Sequence, residues 1–315
     1  MSTAPRLTPR AWALLLLLSL LWGGSFFFAE IALAELPPLL VAWGRVATGA
    51  GFLLLVLRVA RLALPRDRSS WRRYATMGLL NNALPFALIF LGQRTLGANA
   101  AAILNATTPC FGVLLAHLVT ADERLTPARL GGVLLGGLGV ALLVGLEALR
   151  GLGTQLLPTL LVLGGALSYA CAGLYGRRFR GEPALATAAG QVCCSTLWLL
   201  PATLLLERPW SLPMPGWGSL AAVAALGLLS TALAYRLYFR ILALAGATNL
   251  LLVTLLIPPS AMALSALFLA RPVGSAQAVG FAVIALGLLL LDGRLLPRRF
   301  RVPAASRPAA PPRNR

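Results

Sequence analysis

The chain has 315 residues, 58% of them hydrophobic and only 11% charged, with a mean hydropathy of +0.82. One soluble core cannot bury that much apolar surface, so the composition excludes a water-soluble globular domain and points to repeated membrane crossing. The net charge of +18 comes from Arg alone, set against nine acids; the Arg cluster between apolar runs, which is topogenic charge and not a nucleic-acid-binding surface.

In chain order, ten runs reach the ~20 mostly apolar residues that a spanning helix needs: roughly 11–33, 39–57, 72–92, 97–119, 128–147, 157–176, 184–206, 217–238, 246–269 and 274–292. The first follows Arg6 and Arg10 and is too long for a signal-peptide core, so it reads as a retained span. A charged loop holding Arg58, Arg61, Arg66, Asp67, Arg68, Arg72 and Arg73 parts the second and third runs; tight turns join the others. Residues after Pro297 are rich in Arg, Pro and Ala and read as a disordered tail, 297–315. With the N-terminus inside, 21 of the 27 Arg fall on the inner side and four outside, so both termini are expected in the cytoplasm.

The third and fourth runs are repeated by the eighth and ninth. GLLNNALPFALIFLGQRTLGANAAAILNATTP from Gly78 aligns without a gap on GLLSTALAYRLYFRILALAGATNLLLVTLLIP from Gly227, at an offset of 149. Gly78, Gly97, Ala98 and Pro109 fall on Gly227, Gly246, Ala247 and Pro258. Matches of Gly and Pro carry weight because those residues set backbone geometry. With small slips the rest agrees: Trp22 with Tyr169, Pro38 with Pro183, Arg45 with Gln191, Gly132 and Gly139 with Gly280 and Gly287. Five spans per copy is an odd number, so the second copy enters the bilayer the other way up. The expected fold is all-α and polytopic, ten transmembrane helices as two five-helix inverted-topology repeats, 11–146 and 157–292.

Polar groups within spans are costly in hydrocarbon and should face a cavity or another helix. Two roles fit Arg45: binding an anionic group of a solute, or pairing with Glu30 or Glu35. Asn81 and Asn82, just before Pro85, either hydrogen-bond a solute or satisfy the carbonyl that Pro85 frees; their mates are Ser230 and Thr231. Asn105 precedes Pro109 in the same way, with Thr254 opposite it. Pro85, Pro109, Pro258 and Pro259 are expected hinges. Trp22, Tyr169 and Tyr235 could enclose a ligand, and Gln191 could add a neutral contact. Glu30 is the one acid plausibly inside a span, which makes it the first coupling candidate, with His117, the only His, second. So few titratable groups favour uniport or exchange over proton antiport. No HExxH, no intramembrane carboxylate pair, no metal-ligand spacing and no GxxxxGK[ST] loop is present, so the sequence offers no enzyme chemistry, metal or cofactor. The four Cys lie in apolar runs and read as small core residues.

LLWGGSFFFAEIALAELPPLLVAWGRVATG (20–49), the stretches 83–118 and 122–143, 232–270, and VGFAVIALGLLLL (279–291) together resemble the EamA-type ten-helix proteins of the drug/metabolite transporter superfamily. The resemblance implies two EamA units around a central cavity in the cytoplasmic membrane, and transport of small organic solutes, often export of amino acids or related metabolites. A non-transporting scaffold or sensor on the same fold is the alternative. The sequence departs from the family's acidic turn in the second copy, where Arg271-Pro272-Val273-Gly274 stands opposite Glu123-Arg124-Leu125-Thr126. Oligomeric state is not readable.

Overall fold

The structure, a computed structural model, describes residues 8–119, 125–144, 155–179, 181–250 and 252–291. The 297–315 tail, the Glu123-Arg124 turn and the ends of several expected spans lie outside the described residues. The described chain is helical, without strands. Among the described residues, six helices are long and apolar enough to cross a membrane and four more are shorter and apolar.

Helix α1 (Pro9–Leu33) starts where Thr8 caps it, its hydroxyl accepting from the Ala11 N–H at 3.2 Å, with Pro9 in the first turn. Helix α2 (Pro38–Val59) starts within the Pro37-Pro38 pair, Pro37 standing at its cap and Pro38 in its first turn. Helix α3 (Arg68–Gly78) is capped by Asp67, which accepts from the Ser70 N–H at 2.8 Å. That bond holds the Asp67 carboxyl below its usual pKa. It then widens into a π turn over Leu79–Ala83 and continues as α4 (Leu84–Asn105). The third and fourth spans therefore meet directly at Gly97, where two helical segments join across a kink. Gly97 has φ 78 and ψ 168, a conformation open in practice to glycine alone. After Ala106 and Thr107 the chain resumes as α5 (Thr108–Val119), and α6 (Pro127–Val144) is the fifth span.

The second copy repeats this plan. Helices α7 (Leu156–Tyr175) and α8 (Ala184–Ala202, prolonged by a π turn to Glu207) correspond to α1 and α2. Helix α9 (Trp217–Gly227) passes through a π turn over Leu228–Leu233 into α10 (Ala234–Leu250). Helices α11 (Leu252–Phe268) and α12 (Ser275–Leu291) complete it. Gly246 bends α10 at φ 77 and ψ 168, within a degree of Gly97. The two π turns also coincide, yet Pro85 of the first copy has Ala234 as its mate. Proline is therefore not what widens the helix.

Packing runs mainly between copies: α1 lies against α11 and α10, α4 against α7, and α2 crosses α8 at the centre. Between lipid-facing helices apolar burial drives little, so close backbone approach at small residues holds the bundle. Glycine permits that approach where α6 meets α12. A Cβ on Gly132 would sit 2.7 Å from the Gly287 carbonyl oxygen, and one on Gly139 would sit 2.8 Å from that of Gly280. At the centre, Gly78 abuts the Gln191 carbonyl, and Gly227 abuts Thr48 and the backbone of Gly49.

Candidate functional site

The crossing of α2 and α8 against the two π turns gathers the polar residues of the core. Arg45, on α2, is 5% exposed. Its Nε donates to Thr231 Oγ1 at 3.0 Å and its Nη2 to the Ser230 carbonyl at 3.3 Å, both in the π turn of the other copy. Its guanidinium lies 3.8 Å from the centre of the Phe86 ring. Gln191, at the matching place on α8, accepts from Asn81 Nδ2 at 3.2 Å in the first copy's π turn. The two copies thus exchange the same kind of contact across the interface, one charged and one neutral.

Tyr235 joins the halves. Its hydroxyl accepts from Asn81 Nδ2 at 2.8 Å and donates to Asn82 Oδ1 at 3.0 Å. Asn82 is fully buried, and its Nδ2 has no partner. Such an orphan donor is costly and marks a place where a further acceptor fits. The hydroxyls of Tyr169 and Tyr235 lie within electrostatic reach of Arg45, and Tyr169 meets Phe86 edge-on at 6.5 Å.

The carbonyls loosened by the π turns have other partners. Ser168 donates to the Leu80 carbonyl at 2.7 Å, and Ser195 to that of Gly78 at 3.0 Å. Asn81 and Asn82 are therefore not spent on healing the helix at Pro85. Of the two roles open to Arg45, pairing with Glu30 or Glu35 does not occur among the described residues. Glu30 instead accepts from the Ala98 N–H at 2.6 Å and pairs with Arg271 at 3.4 Å. Glu35 accepts from the Gly216 N–H at 2.6 Å. Among the described residues no carboxylate is within ion-pair distance of Arg45. The Glu30–Arg271 pair also gives the departure from the acidic turn a physical partner, since the Arg in that turn meets an acid of the other copy.

The remaining expected residues are dispersed. Trp22 packs on Tyr238 at 5.8 Å, beside the cluster. Asn105 ends α4 with its Oδ1 buried and unpartnered. Thr254 sits on α11, one turn before Pro258. Pro109 is the second residue of α5, where proline fits, while Pro85 lies just past the π turn within the continuing helix. Helix α11 runs on through Pro258 and Pro259. His117 is exposed in the last turn of α5, its Nδ1 accepting from the Leu125 N–H at 3.2 Å. Phe86 was missed by the sequence reading, although it lies four residues after Asn82 and hence on the same helical face. No group of three or more metal-ligating side chains occurs among the described residues.

Ten apolar spans in two inverted repeats, with a polar cluster buried where they meet, define an integral membrane protein of the transporter class. The model of the EamA-like transporter family matches twice, at residues 10–145 and 156–291, and the chain belongs to that family. It is 25% identical over 227 residues to the uncharacterized transporter YoaV of Bacillus subtilis, covering 71% of this chain and 76% of that one. It is 24% identical to a probable amino-acid metabolite efflux pump of Escherichia coli, over 88% of this chain and 93% of the relative. A solved crystal structure superposes with a TM-score of 0.65 at 21% identity, covering 91% of this chain and 99% of that one, which shows the shared fold.

Proposed function

We propose that this protein is a secondary transporter that moves small carboxylate-bearing metabolites, amino-acid-like solutes favoured, out across the cytoplasmic membrane by alternating access. The observation that carries the reading is Arg45: a buried guanidinium at the interface of the two repeats, with no acid beside it among the described residues. An unpaired charge at membrane depth costs roughly 3 kcal/mol even on insertion scales, so its retention calls for an anion. The orphan donor of Asn82 and the amides of Asn81 and Gln191 would orient the same solute. The efflux name borne by the Escherichia coli relative agrees with this reading.

In this mechanism the moving bodies are 11–146 and 157–292, with both termini cytoplasmic. Arg45, Gln191 and Tyr235 bridge the bodies, so their contacts are remade as the bodies rock. Glu30 already serves as a hydrogen-bond acceptor and ion-pair partner. That favours uniport or exchange over proton coupling. The test is counterflow into proteoliposomes preloaded with an amino-acid and metabolite panel, with and without a pH gradient. Saturable exchange without the gradient is expected. Folded Asn82→Ala and Tyr235→Ala proteins that transport at wild-type rates would refute the site.

A further inference from the structure

The charge and donor balance of the central cluster says more about its solute than that it is an anion. Each carboxylate among the described residues is engaged elsewhere. Glu30 holds Ala98 and Arg271, Glu35 holds Gly216, and Asp67 caps Ser70. Glu182 pairs with Arg73, and Glu207 accepts from the Leu39 and Leu40 N–H groups at 2.8 and 2.6 Å. The other four acids, Asp122, Glu123, Glu147 and Asp292, stand between or at the ends of apolar runs. The repeat mate of Arg45 is the neutral Gln191, so among the described residues the cluster carries one positive charge and nothing to offset a second.

Hydrogen bonding points the same way. The Tyr235 hydroxyl accepts from Asn81, so its own hydrogen needs the Asn82 oxygen. This fixes the orientation of the Asn82 amide and leaves its N–H₂ as a buried free donor. Arg45 and Asn82 are tied to the same two stretches of helix, one in each copy. Thr231, which takes Arg45, is four residues before Tyr235, which takes Asn82. On the other copy Asn82 is four residues before Phe86, on which Arg45 stacks. A guanidinium whose Nε and Nη2 are anchored on Thr231 and Ser230, joined to a free amide donor, suits an anionic acceptor such as a carboxylate.

We propose that the site selects organic monoanions with no free ammonium, namely the 2-oxo, hydroxy or N-acyl relatives of amino acids, over the zwitterionic amino acids themselves. The inference rests on the transporter reading of this same site. A monoanion neutralises Arg45. A zwitterion leaves net positive charge in a medium of low dielectric, with an ammonium that has no carboxylate to meet and finds the face of Phe86 already occupied by Arg45.

The experiment is competition counterflow in proteoliposomes with probes that share one side chain: phenylalanine, phenylpyruvate, N-acetylphenylalanine and phenethylamine. Ligand-induced thermal stabilisation of the detergent-purified protein is measured in parallel. The two monoanions should outcompete phenylalanine by roughly tenfold or more and raise the melting temperature, with phenethylamine inert. Arg45→Gln should abolish the preference; where that variant unfolds, Arg45→Lys, which keeps the charge but loses the fork, should narrow it. Equal or better competition by phenylalanine, or activity of the amine, overturns the proposal. Flux of no probe would refute the transporter reading instead. The stabilisation series would then decide the preference alone, equal stabilisation by phenylalanine counting against it.

Discussion

The two repeats have kept the same backbone and parted in their chemistry. Gly97 and Gly246 adopt the same left-handed break, and both copies widen into a π turn after the matched glycines Gly78 and Gly227. The side chains at matching places differ: Arg45 faces Gln191, Asn81-Asn82 face Ser230-Thr231, and Arg271 replaces an acid. Geometry needed by both orientations of an inverted pair is held twice, whereas a charge needed by one solute is supplied once. Identical chemistry would place two guanidinium groups at the interface, and their repulsion would oppose closure in low dielectric.

That contrast can be broken at the duplicated backbone first, where the largest effects are expected. Gly78→Ala drives a Cβ into the Gln191 carbonyl, and Gly227→Ala drives one into Thr48 and the Gly49 backbone. Each should cost about 1–3 kcal/mol or more, read as a fall in melting temperature in detergent. Unchanged stability in both would mean that the π turns tolerate looser packing than described. Next, Gly97→Ala and Gly246→Ala should each lose of order 1–3 kcal/mol, by similar amounts, because the backbone strain is the same at both. A large loss at one and none at the other would end the claim of equivalent bends. Smaller still is Arg271→Ala. This Arg side chain is 69% exposed, so its pair with Glu30 should contribute at most about 1 kcal/mol. Glu30→Gln should leave counterflow independent of a pH gradient, and a gradient dependence lost with Glu30 would reopen proton coupling. His117→Ala should change neither folding nor flux, since the ring is exposed and its Nδ1 accepts from Leu125 in the local turn.

The duplicated skeleton was legible in the sequence because glycine spacing reports backbone geometry directly. Arg45 and Gln191 were legible as mates for the same reason. Their partners were not. Whether Arg45 meets Glu30, Glu35 or Thr231 depends on how two copies cross, which no local pattern encodes. Prolines drew attention as expected hinges, and Pro109 does follow the break between α4 and α5. The bends themselves lie at Gly97 and Gly246, while α11 passes through Pro258 and Pro259 unbroken. A proline removes one donor and can sit in a continuous helix, whereas a φ near +78 excludes nearly every other residue. The role of Asn82 as a buried free donor emerged only from the hydrogen bonds of Tyr235, 153 residues away.

The central claim is that one guanidinium at the repeat interface holds the carboxylate of the solute. Its most direct test is saturable counterflow of a monocarboxylate by wild-type protein, Arg45→Gln and the transposed double variant Arg45→Gln/Gln191→Arg, each shown to be folded. The account predicts a loss of roughly a hundredfold or more in the single variant, the scale of one buried charge-assisted contact. It also predicts measurable recovery when the charge is moved to the matching place in the other repeat. Wild-type flux in Arg45→Gln would contradict it.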